Sequence, residues 1–150
     1  MYTMSQPSQL DANTALVTKF MQDVWNRQDA AAVPNFVTTD YIDHAYTPRD
    51  ASGHAAMVGA FSAAFSDAQH VIEQLTAQDD YVVIRVRVTA RHTGNFRDAA
   101  PSGNLIDVVQ YRTFRLLDNK IAEHWALFDT ATLFRQIGAS PSPANACVKK

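Results

Sequence analysis

A carboxylate at the end of an apolar strand can take a proton from next to a carbonyl group, because desolvation makes the acid a stronger base. Asp129 holds such a position. Ile121, Glu123, Trp125, Leu127 and Asp129 alternate onto one face of a predicted strand over residues 120–129, and that mainly apolar face is expected to point inward, with His124 on the other side. Asp129 also directly precedes a predicted helix over 130–137, and from spacing alone the N-cap is the slightly favoured reading of its carboxylate. His92 ends an apolar row made of Val82, Ile84, Val86, Val88 and Ala90, beside a Gly-containing loop, residues 94–103, long enough to act as a lid. It reads either as a partly buried histidine or as a group that contacts a ligand. His44 shares a face with Ile42 and Tyr46, so it points inward if Ile42 does.

These residues need elements to hold them. Leu16, Val17, Phe20, Met21, Val24 and Trp25 recur at helical spacing between residues 11 and 27. A short helix follows from Asp29 towards Phe36, bent or shortened by Pro34, then a strand over 41–46. A third helix, capped at or near Ser52, carries Met57, Phe61, Ala64 and Phe65 on its buried side. From Gln69 the period changes from helical to alternating, giving strands over 70–76, 81–93, 105–117 and 120–129, the last two joined at Asp118-Asn119. Short turns between strands imply an antiparallel sheet, and the whole is an α+β fold: a strongly curved sheet with helices over its concave face, shaped as a cone with a small-molecule cavity inside. Pairing across the Asp118-Asn119 turn puts Phe114 opposite Glu123, Arg112 opposite Trp125 and Gln110 opposite Leu127, so that Arg112 reaches Glu123 diagonally. Trp25, Phe20, Tyr41, Phe61 and Phe65 complete the expected wall of core and pocket.

Composition removes several function classes. The 150 residues, 47% apolar and 19% charged, suit one domain over residues 11–138, flanked by a flexible N-terminal segment, 1–10, and a flexible Ser/Pro/Ala-rich tail, 139–150, that carries the lone Cys147. A net charge of −2 offers no basic face for nucleic acid. The N-terminus has no apolar leader, and no apolar run approaches membrane-spanning length, so a cytoplasmic protein without membrane contact is expected. The five histidines show no ligand spacing, and Gly-rich phosphate loops and Gly-x-Ser-x-Gly elbows are absent from the sequence; neither metal nor cofactor is expected.

Several segments together carry a resemblance: Val24-Trp25-Asn26-Arg27, Asp40-Tyr41-Ile42-Asp43-His44, Arg91-His92-Thr93-Gly94-Asn95-Phe96, Pro101-Ser102-Gly103, and Ile121-Ala122-Glu123-His124-Trp125 through Asp129. In this order the chain resembles the SnoaL-like polyketide cyclases of the nuclear transport factor two-like superfamily, from about Ala12 to Gly138. The resemblance implies a cofactor-independent enzyme and a small apolar, polyketide- or terpenoid-like substrate. It implies Asp129 as the base that removes a proton alpha to a carbonyl, an intramolecular aldol closure by the resulting enolate, and His44 and His92 as partners of the oxyanion. It also implies a homodimer. An isomerase or hydrolase on the same fold, or a binding module without turnover, are the alternatives. The chain departs from its relatives at Asn119, where Gly is frequent, and at Arg97-Asp98-Ala99-Ala100, which replaces a more apolar stretch over the pocket mouth.

Overall fold

The computed structural model describes residues 8–138. Ser8 caps helix α1 (Gln9–Phe20) by accepting from the Asp11 amide, so Gln9 and Leu10, expected in the flexible N-terminal segment, are helical. The helical stripe then continues as a π-helical turn, Met21–Asn26, which buries Met21, Val24 and Trp25. Such turns widen the backbone spacing and often occur where a side chain must be re-aimed, here that of Trp25. A 3₁₀ segment, Ala30–Asn35, carries Pro34 inside it, consistent with the shortened second helix. The tail expected at 139–150, with Cys147, lies outside the described residues.

Strand β1 (Val37–Asp43) precedes helix α2 (Ala51–Ala64), followed by β2 (Phe65–Gln78), β3 (Tyr81–His92), β4 (Leu105–Leu117), β5 (Lys120–Phe128) and helix α3 (Thr130–Gln136). The strands form one curved five-stranded sheet in the order β1-β5-β4-β3-β2. All neighbours are antiparallel except β1, which pairs in parallel with β5 at the edge. The cap of α2 is Asp50 rather than Ser52: its carboxylate accepts from the amides of Ser52 and Gly53. Gly53 has to be glycine, because a Cβ there would lie 1.8 Å from the Pro48 carbonyl oxygen. This close approach seats the next residue, His54, in the core.

Inward alternation holds along β3 and β4, where Val82, Ile84, Val86, Val88 and His92, and Ile106, Val108, Gln110, Arg112 and Phe114, are all buried. Along β5 it does not. Arg115 pairs with Glu123 but Leu116 pairs with Ile121, so Ala122 is an extra residue in a β-bulge. Every side chain after it is turned over. His124 is buried, Trp125 is half-buried and Leu127 is 74% exposed. The expected partners therefore shift by one: Phe114 faces His124, Arg112 faces Ala126 and Gln110 faces Phe128. Arg115, not Arg112, binds Glu123.

Candidate active site: a buried Asp–His cluster behind an apolar cavity

β1 points Tyr41 and Asp43 into the core and leaves Ile42 41% exposed. Asp43 is fully buried and gathers donors on both carboxylate oxygens. Oδ2 accepts from the Tyr41 hydroxyl at 2.6 Å and from His54 Nδ1 at 2.9 Å, and Oδ1 accepts from the amides of Ala45 at 2.9 Å and Tyr46 at 3.0 Å. His124 Nδ1 lies 3.3 and 3.2 Å from the two oxygens.

The far nitrogens of the two rings settle their protonation. His54 Nε2 accepts from the indole Nε1 of Trp25 at 3.0 Å, and His124 Nε2 accepts from Arg112 Nη1 at 2.9 Å. Trp and Arg only donate, so each ring carries its proton on Nδ1, directed at Asp43, and each is neutral. Burial pushes the His54 pKa down and that of His124 down to about 3, against the opposing pull of Asp43. Desolvation alone would raise Asp43; the hydrogen bonds from His124 and His54 outweigh it and hold the carboxyl well below the usual range. The same proton inventory argues against a cation at Asp43, His54 and His124, although their ligand atoms lie within 4.8 Å of one another. Both Nδ1 atoms present hydrogens rather than lone pairs, and the guanidinium of Arg112 stands behind.

Arg112 is fully buried, and its direct partners are neutral. Nε donates to Gln110 Oε1 at 2.9 Å, the guanidinium lies 4.4 Å from the Trp25 ring centroid, and Nη2 is without a partner. Its bond to Gln110 also fixes that amide: with Oε1 occupied, Nε2 is left as a donor that no described residue receives.

Gln110, Trp25, Tyr46 and His70 carry this cluster to the wall of a cavity of about 190 Å3, completed by Met57, Phe61, Phe96, Arg97, Leu127, Phe128 and their neighbours. His70 is 4% exposed, and its Nδ1 has no partner among the described residues. Its backbone is clamped by Asn26, which donates to its carbonyl at 3.0 Å and accepts from its amide at 2.7 Å. Desolvation, with a further push from Arg112, holds its pKa down to about 3, so it too is neutral at pH 7.

The expected catalytic residues are elsewhere. Asp129 is exposed and caps α3, accepting from the Thr132 amide at 3.1 Å and hydroxyl at 2.7 Å, which lower its pKa. The desolvated, more basic acid expected at this position is thus replaced by the helix cap. His44 faces out, held by Glu123 at 2.8 Å and Arg49 at 2.7 Å and stacked on Trp125 at 4.6 Å, because the parity of β1 is opposite to that expected. His92 is buried as expected, but its Nδ1 is occupied by Ser102 and it does not line the cavity. Of the expected wall, Trp25, Phe61, Gln110 and Leu127 line the cavity, whereas Phe20, Phe65 and Phe114 pack in the core around it. Tyr41 and Arg112 belong to the polar cluster, and Trp125 is on the outer side with His44. His54, His70, Asp43 as a buried anion, and inward His124 are additions made by the structure.

Four buried histidines, His54, His70, His92 and His124, each with its pKa pushed down by burial, give the fold an acid sensitivity of known sign. The unfolded chain protonates near pH 6.5 while folded His70 and His124 stay neutral to about 3 and His54 and His92 are shifted the same way, so stability is full above 6.5 and lost as pH falls towards 3. Each histidine contributes up to about 1.4 kcal/mol per pH unit inside that window. Thermal melts from pH 8 to 4 are expected to show a level Tm above pH 6.5 and a steep decline below it; a level Tm down to pH 4.5 would contradict the protonation states assigned above.

The sequence profile of the SnoaL-like polyketide cyclases matches residues 15–137. No curated protein matches the chain. Among solved structures, AclR from Streptomyces galilaeus, named provisionally as a hydroxylase, is similar at 25% identity and a TM-score of 0.77 over 86% of this chain and 97% of that one. A protein from Jannaschia sp. CCS1, named provisionally as a SnoaL-like polyketide cyclase, aligns at 22% identity and a TM-score of 0.79 over 91% and 99%. A hypothetical protein of ketosteroid isomerase-like fold from Catenulispora acidiphila, solved with trimethylamine, aligns at 16% identity and 0.69 over 84% and 94%.

Proposed function

The chain belongs to the SnoaL-like polyketide cyclase family, and from that membership and the polar inner end of its cavity we propose a cofactor-independent acid–base enzyme acting on a small carbonyl compound. One observation carries the reading. His70 is a buried, unpartnered, neutral imidazole on the wall of an otherwise mainly apolar cavity, beside the free amide donor of Gln110. His70 takes a proton alpha to a carbonyl. The enolate oxygen is received by Gln110 Nε2 and the Tyr46 hydroxyl, with the Arg112 cation behind them stabilising the developing charge. The enolate carbon attacks a second carbonyl of the same molecule, and the imidazolium returns its proton to the new alkoxide, leaving a ring, a hydroxyl and neutral His70. The apolar walls favour the folded conformer in which the reacting carbons meet.

The reading is tested without the natural substrate. In D2O, the protein is expected to accelerate the exchange of the alpha protons of 2-tetralone above the buffer rate, followed by proton NMR. A second reading, a binding protein without turnover, is favoured by the lack of any Asp or Glu among the residues that line the cavity; it predicts no acceleration.

The partner implied by the outer face of the sheet is a second copy of the chain. Val71, Val83, Val109 and Tyr111 are 51, 39, 36 and 49% exposed beside Arg85, Arg87 and Asp107, a surface of mixed apolar and complementary charged residues that suits self-association. Sedimentation equilibrium is expected to give the dimer mass, and a shift to monomer in Tyr111→Glu; a monomeric wild type would reject it. Among the described residues no helix is long and apolar enough to cross a membrane.

A further inference from the structure

We propose that the cavity selects carbonyl compounds that also carry a carboxylate, and that Arg97 at its open end is the residue that binds it; this rests on the carbonyl-binding reading above and names its substrate class. The lining residues that are exposed, Arg97 and Leu127, mark the open end, and those that are buried, among them Trp25, His70 and Gln110, mark the inner one.

Arg97 is held in place there. It stands with Asp98 at the tip of a tight turn closed by reciprocal Phe96 and Ala99 backbone hydrogen bonds of 2.9 Å, with φ of +54°. The turn is anchored to the body: the Thr93 and Gly94 amides both donate to the Ala64 carbonyl at 2.9 Å, and a Cβ at Gly94 would meet the Ala63 carbonyl oxygen at 2.1 Å. Phe96, 6% exposed, packs against Phe65 and Phe134. The guanidinium of Arg97 lies over the Phe96 and Phe134 rings, 5.1 and 5.9 Å from their centroids. Contact with the two rings restrains the side chain, and its N–H groups make no hydrogen bond among the described residues.

Its charge is unanswered. Arg85, Arg87, Arg115, Lys19 and Arg27 each meet a carboxylate, and Arg49, Arg91 and Arg135 each donate to a neutral acceptor. Arg97 makes neither kind of contact among the described residues, and no acid lines the cavity. A pre-positioned planar donor fork at the rim of an apolar cavity matches the two oxygens of a carboxylate. The inner end, with Gln110 as a donor, matches a carbonyl oxygen. The ligand is therefore polar at both ends and apolar between them.

The test uses 4-acetylbenzoate, whose ketone and carboxylate stand at opposite ends of an apolar ring, and its methyl ester as probes, titrated calorimetrically into the wild-type protein, Arg97→Gln and Arg97→Lys. The wild type is expected to bind the acid at least about tenfold more tightly than the ester, the range of a charge-assisted hydrogen bond. That ratio falls to near one in Arg97→Gln, to an intermediate value in Arg97→Lys, which keeps the charge but not the planar fork, and shrinks with added salt. Equal affinities in the wild type, no measurable binding of the acid, or a ratio that survives in Arg97→Gln overturns the proposal. Absence of 2-tetralone exchange with the ratio intact removes the enzyme reading and supports this one; exchange with a ratio of one does the reverse.

Discussion

Asp43→Asn is expected to be the most damaging single-atom-scale change in the protein, lowering stability by about 3–5 kcal/mol without altering the volume of the side chain. The carboxylate is the common acceptor for Tyr41, His54, His124 and the amides of Ala45 and Tyr46. An asparagine supplies one acceptor oxygen and one donor group. If its oxygen stays with the Ala45 and Tyr46 amides, its NH2 confronts the Tyr41 hydroxyl and two imidazole N–H groups that have no second orientation, because Trp25 and Arg112 occupy their far nitrogens. The substitution also removes the negative charge from a buried cluster that His124 links to Arg112, a cation with 0% exposure. At roughly 2–4 °C per kcal/mol for a chain of this size, the Tm is expected to fall by about 6–20 °C. A change of a degree or two would mean that Asp43 is not the ionised centre of the cluster.

What could be read from the sequence follows from what periodicity encodes. The first helix stripe, the inward rows of β3 and β4 and the family were legible, since each depends on a repeating pattern of side-chain polarity or on several motifs in order. The faces of β1 and β5 were not. The swap on β5 comes from the unpaired Ala122, a small residue that fits inside or outside and so leaves no mark on the pattern. On β1 the strand ends at Asp43, and the carboxylate itself turns the chain by accepting from Ala45 and Tyr46, so extending the alternation through His44 and Tyr46 assigned both wrongly as a strand face. A short polar run, Asp40-Tyr41-Ile42-Asp43-His44, has one apolar aliphatic residue to orient it, and Ile42 is the one that faces out. Asp129 shows the reverse: the spacing Asp129-Thr130-Ala131-Thr132 carried the N-cap in plain view, and the resemblance outweighed it. His54 and His70 carry no local signature. Each becomes visible only when Gly53 lets the helix approach Pro48, and when Asn26 reaches across from the π-helical turn to clamp β2.

His70→Gln is expected to have the largest effect on chemistry. The amide keeps a polar group of similar size against Trp25 and Phe61, whose rings lie 5.2 and 5.4 Å from the imidazole, so cavity and fold are preserved while the only imidazole on the cavity wall among the described residues is removed. A positioned proton-transfer group is worth about 10²–10⁴ in rate. Ketone affinity should change little, because Gln110 and the apolar walls are untouched. Burial lowers the basicity of the free His70 imidazole; an enolate beside it supplies a negative partner and stabilises the imidazolium as it forms, which offsets part of that cost.

The measurement that decides the account is the alpha-proton exchange of 2-tetralone in D2O, run side by side on the wild type, His70→Gln and Asp129→Asn. The account predicts a catalysed rate that falls about 10²–10⁴-fold in His70→Gln and stays within about twofold of wild type in Asp129→Asn. A rate that survives in His70→Gln and collapses in Asp129→Asn would contradict it, returning the base to the end of β5 and reducing His70 to part of the wall.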